Sequence, residues 1–531
     1  MSETVEKGDA VVDATVVVRE PTDTTTYASP RRLGFVVMII CCASFLCGLD
    51  QTIVATAVPR ITDSFHALGD IAWWTSAYLL TSASLQLSYG RLYTLFSIKI
   101  VYLLAITIFC IGSLICATAP TSIALIIGRA IAGCGAAGIM SGSVLVLAAS
   151  CPLEKRAALS GLMFMSLGIS AVAGPFVGGA LTDQATWRWC FWINLPICAA
   201  LLLGICFVVK TPYEEKYRRM SWQEKVRNFD LPGTILLTAA LVCIILALQL
   251  GGSVYPWSNG RVIALFVVSL VLFLSFIGIQ SAFPSQRSFS PALIRNRSVS
   301  FAALYSGFIS GGMFVVITYL PLWFQAIKNA SALRSGVMIT PLIASFVIMS
   351  ALCGAATQVV GYYNPAMYLG VLLTAVGAGL LSSSTFNPGI SSSAWIGYQV
   401  LYGLGAGAGV PPPMLVIQTV LPASDVPLGV CLVNLVQMLW SSVAVAIAQT
   451  VFVNELQKGV RDAVNIPGFD TSVLVNSGAT DLSSMYSPDQ LDKVLPAYSE
   501  AITKTFYIAL ALSCGAWFLA LPVQWKSMKK K

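Results

Sequence analysis

Two side chains able to handle a proton lie inside runs of otherwise apolar residues. Asp50 stands in Gly34–Val58 and Arg129 in Ser122–Ala148. A charge at the centre of a spanning helix costs at least ~2.5–3.5 kcal/mol, so an ionisable residue there points to function and calls for a partner. If the first run goes outward and the second returns, the charges stand eight and seven residues from the outer end, roughly 10–12 Å of depth at helical rise. Equal depth makes each the partner of the other. A nearby cation favours the ionised form of a carboxyl, and burial favours the neutral form. A pair whose separation changes between two states would load and release a proton, which makes Asp50 the proton-coupling candidate and Arg129 its regulator.

A second set of residues has the chemistry of ligand contact. Asn434, Gln437 and Ser441 recur at i, i+3 and i+7 on one face of an apolar run. Tyr398, Gln399 and Tyr402 lie in another, and Tyr305, Phe308 and Tyr319 in a third. In lipid such amides must face protein or a watery cavity, so they either bond helix to helix or line a binding site. A cavity of aromatics and neutral amides suits bulky, weakly polar organic molecules. It does not suit sugars, which need dense hydrogen bonding, or phosphates, which need several cations.

Other chemistries are disfavoured. Gly133-x-Gly135-x-x-Gly138 fits a dinucleotide fingerprint by letter, but it lies mid-span with no strand before it. There, small residues let helices approach closely. No GxxxxGK[ST] string is present, so ATP hydrolysis through a phosphate-binding loop is not expected. The fourteen cysteines are scattered without a CxxC, and His66 is the single histidine. No metal site and no cofactor are expected. Gly168-x5-Gly174-Pro175-x2-Gly178-Gly179 should give a kinked, closely packed helix, suited to serve as a hinge. Asn329 in Asn329-Ala330-Ser331 is a glycosylation candidate.

The elements that must hold these residues follow from composition. Of 531 residues, 56% are hydrophobic and 10% charged, and mean hydropathy is +0.79. These values place the chain among all-α polytopic membrane proteins. Runs long enough to span fall near 34–58, 71–90, 99–119, 122–148, 158–181, 189–209, 231–250, 261–281, 301–325, 335–358, 366–384, 394–420, 428–452 and 504–524, fourteen in all. With the N-terminus inside, 21 of the 31 Lys and Arg fall on inner segments and nine on outer ones, so both termini are expected to be cytoplasmic. The net charge of +8 then reflects topology and not nucleic-acid binding. Residues 1–33 read as a disordered cytoplasmic tail, Thr211–Asp230 as a charged cytoplasmic linker, and 525–531 as a short cytoplasmic tail. Asn454–Thr503 reads as an outer cover, with a gating role as the alternative.

Internal symmetry groups the spans. Thr56-Ala-Val-Pro59 returns as Thr318-Tyr-Leu-Pro321, the turn at Gly90 as that at Gly354, and Arg129-Ala-Ile-Ala-Gly133-Cys-Gly135 as Gln399-Val-Leu-Tyr-Gly403-Leu-Gly405. The offsets are 262, 264 and 270. Such repeats are a mark of transporters. They imply two six-helix halves, 34–210 and 301–524, with two inserted helices within 231–281. Asp50 then falls opposite Gly312 and Arg129 opposite Gln399, so the charges sit in the first half and the neutral contact residues in the second.

The chain resembles the major facilitator superfamily, and within it the fourteen-span drug:proton antiporters of fungal type. Leu49-Asp50-Gln51-Thr52-Ile53-Val54 with Pro59 looks like the span-one signature, and Arg129 with Gly133, Gly135, Ala136 and Ala137 like the span-four motif. Gly174-Pro175 with Gly178-Gly179 is similar to the motif of exporters. Trp187-Arg188-Trp189-Cys190-Phe191-Trp192-Ile193-Asn194-Leu195-Pro196 is similar to the opening of span six. The inner turn departs from the pattern G-x-L-x-D-R-x-G-R-K: after Gly90, Thr94 stands where the acid belongs, which weakens the charge latch expected on that side. The resemblance implies a monomeric, non-enzymatic efflux pump for hydrophobic small molecules, toxic metabolites or drugs. It would be driven by the proton gradient through alternating access, in the plasma membrane or, alternatively, the vacuolar membrane. A siderophore or vacuolar amino-acid transporter is the rival within transport, and a membrane nutrient sensor the rival outside it.

Overall fold

The computed structural model describes residues 29–65, 70–209, 220–221, 223–225, 230–252, 255–282, 291–330, 332–464 and 488–529. The tail before residue 29, His66, nearly all of the linker Thr211–Asp230 and the middle of Asn454–Thr503 lie outside them. The helices of the first half are α1 (Pro30–Phe65), α2 (Ile71–Ser84), α3 (Gln86–Leu95), α4 (Ile98–Thr118), α5 (Ser122–Ser150), α6 (Leu153–Gln184), α7 (Trp189–Trp192) and α8 (Asn194–Val208). Then follow the inserted α9 (Leu231–Leu250) and α10 (Gly260–Ala282), and the short α11 (Pro291–Arg295). The second half comprises α12 (Arg297–Lys328), α13 (Ala332–Met338), α14 (Thr340–Val360), α15 (Asn364–Leu381), α16 (Ser392–Gly409), α17 (Pro412–Val420), α18 (Val426–Val464) and α19 (Pro488–Ala520). Among the described residues the only strand-like feature is an isolated bridge between Gly251 and Tyr255.

Thirteen helical stretches among the described residues are long and apolar enough to span. The fourteenth expected span is present in two pieces, α2 and α3, divided at Leu85. The Ser84 hydroxyl donates to Thr81 O, the carbonyl that the Leu85 amide also uses, and such back-bonding weakens a helix locally. The expected fifty-residue outer segment is shorter than the hydropathy suggests. Its first part continues α18 to Val464 and its last part begins α19 at Pro488. Polar pairs hold these extensions: Lys504 Nζ lies 2.7 Å from Glu455 Oε2 and 2.9 Å from Glu500 Oε1, and Trp323 Nε1 donates to Ser499 Oγ at 2.9 Å.

Glycine decides how close the helices come. A Cβ on Gly133 would strike Thr81 Oγ1 and Tyr78 O of α2, and one on Gly135 the backbone of α4 at Ala105 and Phe109. In the second half a Cβ on Gly403 would strike Ser345 Oγ and Leu342 O of α14, and one on Gly405 the backbone of α15 at Leu373 and Thr374. Gly403 lies 270 residues after Gly133, and its two neighbours lie 264 after theirs. The sequence repeat is thus a repeat of contacts.

The halves meet chiefly where α6 packs antiparallel on α14 and α3 on α18. Gly161 abuts Ser350, Gly354 abuts Ala157, and Gly90 abuts Cys431 and Leu428. These contacts gather at the end of the bundle where α1 begins. Lys529 also reaches that end, where its Nζ donates to Val359 O. The inserted hairpin is closed by Asp230, whose Oδ1 caps the amide of Gly233 at 2.9 Å and whose Oδ2 accepts from Gln280 Nε2. It lies along the seam: Leu237, Leu241 and Phe276 cluster with Leu87 of α3 and with Cys431 and Leu435 of α18. Thr238 Oγ1 donates to Ser84 O at 3.5 Å, and Trp257 Nε1 to Thr450 Oγ1 at 2.9 Å.

Gly133→Val should lower the thermal midpoint or abolish the folded yield, because overpacking against backbone costs at least about 1–3 kcal/mol. Gly403→Val should do the same. Gly179→Ala, with nothing within 4 Å of its Cβ, should leave the midpoint unchanged in fluorescence-detected melting of purified protein.

Candidate functional site

The first turns of α2 and α5 are bolted together. Thr121 Oγ1 caps α5 by accepting from Ala124 N at 3.2 Å. Ser122 Oγ donates to Asp70 Oδ2 at 2.5 Å and accepts from Trp74 Nε1 at 3.0 Å. This fixes the carbonyl of Trp74, which accepts from Arg129 Nε at 2.9 Å. The guanidinium is thereby aimed at α1, where Arg129 Nη1 lies 2.5 Å from Asp50 Oδ2. It also donates to the main-chain O of Asp50 at 3.4 Å.

The pair is sealed from solvent. Asp50 is 0% exposed and Arg129 1%. Tyr78 and Phe191 flank the guanidinium, with ring centroids 4.5 Å and 6.0 Å from its carbon, a geometry that adds cation–π attraction. Around them pack Leu49, Ile53, Val54, Trp74, Cys116 and Trp187. The expected equal depth of the two charges is realised as a direct ion pair.

Asp50 has a second partner that the sequence reading did not single out. Asn194, the first residue of α8, donates through Nδ2 to Asp50 Oδ1 at 2.9 Å and to Ser113 Oγ of α4 at 3.3 Å. Its Oδ1 is buried and has no hydrogen-bond partner among the described residues. One signal for it was present, an amide side chain in the otherwise apolar Phe191-Trp192-Ile193-Asn194-Leu195. The Trp74 carbonyl left no signal, because it depends on how α2 is placed.

The candidate hinge lies on α6, which runs without interruption through Pro175. The side chain of Pro175 lies outside the described residues. Gly174 faces Thr52 of α1, whose Oγ1 donates to Gly48 O at 3.0 Å and Ser170 O at 3.3 Å. Gly178 is buried and its carbonyl accepts from Thr182 Oγ1 at 2.6 Å, whereas Gly179 faces open space. Close packing is therefore met at Gly174 and not at Gly179. Gly90 seats α3 on α18. Thr94 Oγ1 turns back to Gly90 O at 2.9 Å, bonding within its own helix.

The structure divides the candidate ligand residues. Gln437 Nε2 donates to Ser306 Oγ at 2.5 Å, Ser441 Oγ to Gln437 O at 2.7 Å, and the Phe308 ring meets Trp440 edge-on at 4.5 Å. These five residues therefore gather between α12 and α18. Asn434 turns elsewhere and crosses to the first half. Its Nδ2 donates to Ser141 Oγ at 3.2 Å, and the same oxygen accepts from Gln86 Nε2 at 2.6 Å. Tyr305 is buried in helix packing and donates to Met367 O at 3.0 Å. Tyr398 reaches the loop at Thr385, 3.0 Å away. Tyr402 is buried beside Gly312 and Gly377. Gln399, opposite Arg129 in the repeat, is fully buried, and neither amide atom has a hydrogen-bond partner among the described residues. Asn329 is exposed in left-handed backbone, φ 49°, at the end of α12.

Residues 40–445 match the family described as Major Facilitator Superfamily. The chain is similar to the MFS thioclapurine efflux transporter tcpA of Claviceps purpurea (strain 20.1), with 47% identity over 95% of this chain and 92% of that one. It is 44% identical to the MFS-type efflux pump MFS1 of Arthroderma benhamiae, over 97% of this chain and 95% of that one. Among solved structures it superposes on the proton:xylose symporter XylE with a TM-score of 0.61 at 12% identity, covering 94% of this chain and 97% of that one.

Removing one member of a buried pair strands the other and costs about 3–5 kcal/mol, whereas replacing both by apolar residues is often near neutral. Arg129→Leu should therefore melt well below the unmodified protein, and Asp50→Leu with Arg129→Leu should recover most of the loss. A single variant as stable as the parent would show that Asp50 is not isolated from water.

Proposed function

The chain belongs to the Major Facilitator Superfamily, and on that footing we propose that it exports hydrophobic small molecules in exchange for protons. The reading is carried by one observation: a buried ion pair on α1 and α5, formed by two of the three charged side chains that are buried among the described residues, the third being Asp230 at the foot of the inserted hairpin. A cationic partner removed by a change of state leaves a buried carboxyl that favours its neutral, protonated form. Export then follows as an alternation: Asp50 takes a proton from water on one side and, when Arg129 pairs with it again, releases that proton to water on the other.

The printed names of the relatives, a thioclapurine efflux transporter and an efflux pump, support efflux and a secondary metabolite or drug as cargo. The aromatic and amide groups between α12 and α18 suit such a molecule, since Phe308, Trp440, Gln437 and Ser441 offer apolar surface and few fixed charges. We assign the protein to the plasma membrane with both ends cytoplasmic, acting as a monomer, with the proton gradient in place of a cofactor and with no catalytic step. Asn329 would then be an outward-facing acceptor for glycosylation.

Inside-out vesicles should accumulate a fluorescent hydrophobic substrate when acidified internally. A protonophore should abolish this, and ATP depletion with the gradient clamped should not. Asp50→Asn should retain substrate binding and lose uphill accumulation; accumulation by Asp50→Asn at the parental level would remove the residue from the mechanism. Gln437→Ala should change affinity by a few-fold to about tenfold, by different amounts for different compounds, as loss of one hydrogen bond implies. A uniform fall for every compound in step with surface expression would make Gln437 a tie between α12 and α18.

A further inference from the structure

Asn194 contributes an amide, which differs from every other partner of Asp50 in being able to serve both protonation states. Arg129 can only donate. The nitrogen end of the amide now faces the carboxylate, 2.9 Å from Oδ1, and its oxygen end is buried without a partner. The second partner of Nδ2, Ser113 Oγ at 3.3 Å, is a hydroxyl and can donate as readily as accept. Both groups are fully buried. The other titratable groups that face the carboxyl are Cys47 on α1, Tyr78 on α2, Cys116 on α4, Arg129 on α5, Cys190 on α7 and Cys198 on α8. The contact from α6 comes from the neutral Ser170 and Gly174 around Thr52.

We propose that Asn194 is a positioning residue that follows the proton on Asp50: it donates to the carboxylate and turns its amide over to accept from the acid. A proton arriving from water forms an O–H bond at Asp50 Oδ1, and the Nδ2–H···Oδ1 hydrogen bond is lost. Rotation of the amide brings Asn194 Oδ1 to the place of Nδ2, where it accepts from the new Asp50 O–H and from the Ser113 hydroxyl. Release of the proton reverses both movements. The orphaned oxygen of the present arrangement is the acceptor kept for the other form.

This rests on Asp50 as the proton site, and the test separates the two ideas. In the exchange Asp50→Asn with Asn194→Asp, Arg129 still donates to residue 50, the new amide donates to the new carboxylate, and the Ser113 hydroxyl, which now accepts from residue 194, turns to donate to it. Each pairing is kept, with the one at Ser113 reversed, while the titratable group moves to the other helix. In proteoliposomes the exchange should restore proton-driven uphill export that Asp50→Asn alone lacks. Asn194→Leu should cut uphill export at least tenfold while substrate exchange without a gradient stays within about twofold. Failure of the folded exchange variant to exceed Asp50→Asn overturns the proposal for Asn194. So does an Asn194→Leu variant that keeps uphill export or loses both fluxes together, and this decides the matter where the exchange variant does not fold. Uphill export by Asp50→Asn alone overturns the proton reading itself, and the role of Asn194 with it.

Discussion

A charge inside lipid must find its partner within the protein, and that requirement organises the first half of this molecule. Asp50 on α1 obliges α5 to bring Arg129 to the same depth. Arg129 has a second donor to satisfy, and this obliges α2 to present the carbonyl of Trp74. The second oxygen of Asp50 obliges α8 to begin with Asn194 at that level. Four helices are thereby registered against one carboxyl, and the desolvation of the pair penalises displacement of any one of them. Buried pairs of this kind seldom add stability over apolar packing, so their retention suits a part whose pairing changes during work better than a staple.

The second half solves the same helix positions without charge. Gly312 takes the place of Asp50 and Gln399 that of Arg129, while Gly403 and Gly405 keep the contacts of Gly133 and Gly135. What the two halves share is steric, because both must bring α-helical backbones close enough for carbonyls to touch neighbouring helices. What they do not share is electrostatic. The one half is registered by an ion pair, and the other by glycine, tyrosine and amides spread along α12 and α18.

Much of this was legible in the sequence because lipid makes the rules strict. Apolar run length gave the spans, equal depth paired Asp50 with Arg129, and the 264 and 270 offsets foretold contacts that the glycines now display. The missed features arise where hydropathy says nothing. The break at Leu85 depends on which carbonyl the Ser84 hydroxyl takes. The helical extensions past residue 452 and before residue 504 are held by Glu455, Lys504 and Ser499, polar residues that read as loop. Asn434, Gln437 and Ser441 share one helical face as expected, yet Asn434 bonds across to Ser141 while Gln437 bonds to Ser306. A stripe on one helix does not reveal which neighbour each residue meets.

The inserted hairpin touches both sides of the seam, so it could not stay fixed to both if the halves rotate as the proposed alternation requires. Its tie to the first half is the long Thr238 to Ser84 bond of 3.5 Å, and its tie to the second is the Trp257 to Thr450 bond of 2.9 Å. Between them lies the apolar cluster of Leu87, Leu237, Leu241, Phe276, Cys431 and Leu435, and such packing resists sliding less than a network of directed bonds. Of the two ties the longer, on the Leu87 side, would be the one to give. In that case the hairpin would travel with α18, and the leucine contact beneath it would serve as a greased bearing.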